Sequence, residues 1–143
     1  MEDAFSLERF VEAQEAVFDT VIGELNAGLK QNHWMWFIFP QLAALGRSPT
    51  AAFFGIRSIE EAAAYLDHWV LGPRLYHCVD ALLLWADRRS ALQIFGQIDA
   101  LKLRSCLTLF DRVRPGTSFG MALQAFYEGE ADERTLALLN AAR

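Results

Sequence analysis

The sequence predicts a single all-α domain, residues 1–143, of about seven to nine helices. Three observations carry that expectation. Apolar residues recur at helical spacing along most of the chain. Nearly every such segment has its own start and stop signal, and the connections between them are short. The one run that would suit a buried strand has no convincing second strand to pair with, so as a strand its backbone polar groups would go unsatisfied.

The first helix is the best signalled. Ser6 is a good N-cap with Glu8 in the first turn, and Phe5 and Phe10 are placed for a hydrophobic staple. Leu7, Phe10, Val11, Val17, Phe18, Val21, Ile22 and Leu25 make an apolar face, and Gly28 suits the position that ends the helix. Gln14 stands at the centre of that face, where a primary amide must find partners or cost about 1–3 kcal/mol. Asn32 can cap a short helix from His33, which Pro40 ends. Ser48-Pro49 opens a helix that stops near Gly55, and Ser58-Ile59-Glu60-Glu61 is a capping box. Gly72-Pro73 opens a longer helix with Leu75, Cys78, Val79, Leu82 and Trp85 inward. Ser90 caps a short helix ending at Gly96. Asp99 caps a long one reaching about Arg114, with Leu103, Cys106, Leu107, Phe110 and Val113 inward and Arg104, Thr108 and Asp111 outward. Ser118 and Asp132 cap the last two.

One stretch organises the rest. From His33 to Phe39, six of seven residues are large and apolar, in Trp34-Met35-Trp36-Phe37-Ile38-Phe39. Such a run belongs in a core, a pocket wall or a buried contact. The first helix and the Asp99 helix are expected to pack around it.

Composition narrows the function classes. Of 143 residues, 53% are hydrophobic and 22% charged, enough to bury a sizeable core in one domain. No apolar run approaches a membrane span, and the acidic start Met1-Glu2-Asp3 is unlike a signal peptide. A cytoplasmic location is therefore expected. A net charge of −5 argues against nucleic-acid binding through Arg88-Arg89 or Arg112 and Arg114. Cys78 and Cys106 fall on apolar faces and are expected to be buried thiols. His33, His68 and His77 are scattered without metal-ligand spacing, so no metal is expected. His77 and Asp80 suit a surface hydrogen bond. Phosphate loops of the GxGxxG or GxxxxGK[ST] kind are absent, and no cofactor is expected.

The candidate site surrounds His33. Aromatic walls beside polar and cationic groups suit a planar or anionic small molecule. Trp34 or Trp36 would stack on it, Lys30 or Lys102 would meet its charge, and Gln14 and Gln41 would supply amides. His33 would serve as general acid or base. Lys102 and Ser105 also have the look of a weak serine-lysine pair.

Several segments carry a resemblance. Arg9-Phe10-Val11-Glu12-Ala13-Gln14, the run His33 to Gln41, Leu71-Gly72-Pro73-Arg74-Leu75, Ile94-Phe95-Gly96 and Lys102-Leu103-Arg104-Ser105 with Thr108-Leu109-Phe110 resemble the uncharacterised family catalogued as domain of unknown function 1810. The match spans almost the whole chain. Members often have serine where this chain has Asn32 and Cys106. Some carry the label calpastatin, but nothing in these residues points to protease inhibition. The resemblance implies no agreed activity. It directs attention to Arg9, Gln14, His33, Gln41, Lys102 and Ser105. Two function classes follow as expectations: a small-molecule-binding protein or enzyme, or a non-enzymatic interaction module or homodimer.

Overall fold

Helix α8 (Gln97–Val113) is the element against which four of the other helices pack. Six consecutive residues, Ser105 to Phe110, are buried, so this part of the helix is covered all round. The computed structural model describes residues 3–142. Ahead of α8 come α1 (Glu8–Glu15), α2 (Phe18–Ala27), α3 (Met35–Ile38), α4 (Pro49–Phe53), α5 (Ile59–Asp67), α6 (Leu71–Leu83) and α7 (Ala91–Phe95). After it come α9 (Ser118–Tyr127) and α10 (Glu133–Ala141). A single 3-10 turn, Ala43–Leu45, follows the aromatic stretch. Among the described residues the only extended pairing is an isolated bridge between Leu42 and Ile56.

The all-α expectation holds, with ten helices among the described residues where about seven to nine were expected. The first predicted helix is two helices, α1 and α2, broken at Ala16-Val17. No proline or glycine stands there. The halves serve different neighbours: α1 packs on α3, α2 on α6, and the break lets each face its own partner. Ser6 is not the cap. It sits at φ 54°, and the Asp3 carboxylate accepts the N–H groups of Leu7 and Glu8 at 2.7 and 2.8 Å. Those bonds hold the Asp3 carboxyl below its usual range.

The predicted caps Ser48, Ser58, Ser90 and Asp132 are in place, each accepting an N–H of the first turn. Asp99, expected as a cap, lies inside the first turn of α8, because that helix starts directly after Gly96. Ser118 is also inside its helix, and its hydroxyl donates to Asp80. His77 instead lies edge-on to Phe18, its ring centre 6.0 Å away. Thr108 was expected in solvent and is buried, because the start of α10 covers it. Its hydroxyl donates to the Arg104 carbonyl and accepts the Asp132 N–H.

Two glycines are required by packing. Gly28 takes φ 71°, and a Cβ there would lie 2.8 Å from the Trp85 ring. A Cβ on Gly72 would come within 2.1 Å of the Leu66 carbonyl oxygen. Close approach of α5 to α6 therefore depends on the missing side chain.

Candidate functional site

The aromatic stretch divides into an inner and an outer side. Trp34, Met35, Ile38 and Phe39 are core, while Trp36 and Phe37 are half-buried. After Pro40 the chain turns outward at Gln41. It is pinned there by the Ile56 N–H donating to the Gln41 carbonyl (2.9 Å) and the Ala43 N–H donating to the Ile56 carbonyl (2.8 Å). This clamp sets Gln41 and the 3-10 turn opposite α4, and a hollow opens between them.

The hollow has two parts. The inner crevice is narrow, about 10 Å³, with Met35, Trp36, Phe39 and Phe54 among its walls. The outer groove, about 350 Å³, is bounded by Leu45, Gly46, Arg47 and Ser48. Gln41, Ala51 and Lys102 line both, so the two adjoin. The crevice holds about one water, while the groove has the size of a small-ligand cleft.

Lys102 is the cation of this hollow. Its ammonium lies 5.3 Å from the centre of the Trp36 ring. Asp99, one turn back, is 3.9 Å away, but that carboxylate is already engaged by Lys30 at 2.8 Å. One carboxylate between two ammonium groups leaves a net positive charge. Arg47 adds another at the groove and forms no ion pair among the described residues.

Of the nine residues singled out from the sequence, Trp36, Gln41 and Lys102 meet here, and Lys30 joins them through Asp99. The others go elsewhere, so the single pocket expected around His33 does not form. The His33 side chain is exposed and lines none of the hollows described. Trp34 is buried, and its indole N–H donates to Glu24 at 3.0 Å. Gln14 is buried, and its amide donates to the Phe37 carbonyl and the Tyr65 hydroxyl. Arg9 uses all five N–H donors: on the carbonyls of Phe5, Ser6, Phe53 and Gly55, and on Glu61. It has no donor left for a ligand. The Ser105 hydroxyl donates within its own helix to the Leu101 carbonyl, so Lys102 and Ser105 do not form a catalytic pair.

Glu24 escaped the sequence reading, although it sits three residues after Val21 on the apolar face of α2. Its buried carboxylate accepts the N–H groups of Gln31 and Asn32, the Asn32 side-chain amide and the Trp34 indole. Asn32 therefore ties down the loop before α3 and does not cap that helix. Burial alone would raise the Glu24 carboxyl, but these four bonds outweigh it and bring it down to about 2. Glu61 is buried between the Arg9 guanidinium and the Arg57 N–H. Burial pushes the Cys78 thiol up to about 12 and Cys106 well above its usual value, so neither is a thiolate at neutral pH.

Fold and hollow together define a small all-helical protein with a cationic groove beside its core, adjoining a narrow aromatic crevice. Among the described residues no helix is long and apolar enough to cross a membrane. The chain belongs to the family described as Protein of unknown function (DUF1810), whose model matches residues 4–139. It is similar to the crystal structure of a conserved hypothetical protein from Mycobacterium tuberculosis. The two are 50% identical, with a TM-score of 0.93 over 96% of this chain and 99% of that one. A comparison with curated proteins gave no match.

Proposed function

We propose that this is a cytoplasmic small-molecule-binding protein, with a groove beside the aromatic stretch for an anionic, planar metabolite such as a nucleotide derivative. The observation that supports it is Lys102: a cation at the face of a half-buried tryptophan, in a hollow, with its nearest carboxylate already engaged by Lys30. Trp36 stands at the adjoining crevice, where its ring backs the Lys102 ammonium; Gln41 offers an amide for hydrogen bonding, and Lys102 with Arg47 the charge. Binding is favoured over turnover because neither His33 nor Ser105 lines the hollow. Nucleic acid and membrane are not proposed as partners. Arg89 donates to the Gly28 and Gln93 carbonyls and Arg114 pairs with Asp67, so two of the four arginines of the expected basic patches are already engaged.

The test is a thermal-shift titration with AMP, adenosine and inorganic phosphate on the protein and on Lys102→Met and Trp36→Ala. AMP is expected to raise Tm, adenosine and phosphate to act more weakly, and both variants to lose the AMP effect. No shift with AMP, or an equal shift in both variants, would remove the reading.

A second reading, a homodimer or interaction module, is favoured by Leu92, Ile98 and Leu101. These lie on α7 and the start of α8 and are 61–71% exposed. Light scattering on the purified chain separates the two: a strict monomer up to high concentration excludes the dimer.

A further inference from the structure

A larger hollow lies away from the aromatic stretch, about 780 Å³ in volume. Leu42, Ile56 and Ile59 form one wall, where the 3-10 turn meets the start of α5, and Leu138 and Leu139 of α10 form the other. The seam beneath α10 is an unfinished piece of core. Helix α10 packs chiefly on α8, its only buried residue is Thr135, and its leucines at 136, 138 and 139 remain half-buried. An apolar trough of this size exceeds what scattered surface leucines produce.

Its charge is one-sided. Arg57 and Arg112 line the hollow, and neither forms an ion pair among the described residues. Arg57 comes from the α5 wall and Arg112 from α8, so the charges approach from different elements. Among the described residues Glu60 is the one carboxylate on the lining, against two guanidiniums, over an aliphatic floor. A floor of Leu and Ile offers nothing to a polar ligand, and two unpaired guanidiniums offer little to a neutral hydrocarbon. Both features are satisfied together by an aliphatic chain that ends in an anion.

We infer that the groove under α10 is a second binding site, for an aliphatic carboxylate of the fatty-acid type. The chain lies along Leu42, Ile56, Ile59, Leu138 and Leu139, and the carboxylate meets Arg57 or Arg112. This site is independent of the groove at Lys102 and does not rest on that reading.

The experiment is calorimetric titration of the whole chain with dodecanoate and with dodecanol, below their aggregation limits. It is repeated on the double variant Arg57→Ala/Arg112→Ala and on Ala44→Trp, which puts an indole into the open trough from its exposed lip. Dodecanoate is expected to bind one per chain and dodecanol at least tenfold more weakly. The double variant should lose tenfold or more, and Ala44→Trp should abolish binding while circular dichroism stays unchanged. Lys102→Met should bind dodecanoate normally. Absence of dodecanoate binding, equal binding of the alcohol, or binding unchanged in Ala44→Trp would overturn the inference. So would a self-association seen by light scattering and lost in Ala44→Trp, which would make the groove a contact between copies.

Discussion

Trp34 and Trp36 are two residues apart and have opposite surroundings. Each has a lysine near its ring, at 5.1 Å for Lys30 and 5.3 Å for Lys102. On the inner side every polar group has a partner: the Trp34 indole is bonded to Glu24, and Lys30 is paired with Asp99 and almost fully buried. On the outer side Trp36 is half-buried, and Lys102 has only a distant share of Asp99. Trp34 precedes α3 with a non-helical backbone while Trp36 lies inside that helix, and the two side chains leave on different sides. The comparison teaches that apolar-plus-polar composition in one short stretch does not separate scaffold from site. What separates them is whether the polar groups retain unsatisfied capacity.

Substitutions should therefore sort by side. The largest loss is expected at Arg9→Met, which removes five hydrogen bonds and leaves buried Glu61 without its cation. About 4 kcal/mol is expected by urea unfolding, and a change under about 1 kcal/mol would mean the Arg9–Glu61 cluster is not structural. Glu24→Gln should follow at about 3 kcal/mol, since donors now facing a carboxylate would meet an amide.

Glu24 also makes a prediction about acid. Its carboxyl sits near 2 in the fold against an ordinary 4.5, so the unfolded chain binds more protons between those values. The stabilisation is complete above about pH 4.5 and is lost as pH falls through 2. Wild type should lose stability across that window, and Glu24→Gln should show a flatter acid limb in the same titration.

Trp34→Phe should cost about 1–3 kcal/mol by orphaning part of the Glu24 carboxylate, while Trp36→Phe should cost under about 0.5 kcal/mol by the same unfolding measurement. Equal costs would erase the distinction between the sides. The smallest stability effect is expected at Lys102→Met, within about 0.5 kcal/mol, although that variant, like Trp36→Ala, is expected to lose AMP.

The helices that were readable in the sequence are those whose signals are local. Ser48, Ser58, Ser90 and Asp132 act on N–H groups three residues away, a distance the sequence states directly. Asp99 misled for the same reason: an acidic residue near a helix start looks like a cap, and its actual partners, Lys30 and Lys102, include one almost seventy positions away in the chain. Gln14 was visible as an anomaly on an apolar face, and Glu24 offered the same signal on the next turns. The destination of each amide or carboxylate was not visible. Arg9, named as a candidate for ligand binding, is a staple: two of its acceptors, the Phe53 and Gly55 carbonyls, come from the end of α4 and just beyond it, and a third, Glu61, from α5.

By itself the sequence determined an all-helical chain, most of its helix boundaries, and the burial of the aromatic stretch, because propensity, capping and apolar periodicity act over a few residues. Only the tertiary structure decided that the first helix breaks, which tryptophan faces the hollow, and which cations keep free charge. Those outcomes depend on partners far apart in sequence, whose meeting is a property of the packed fold.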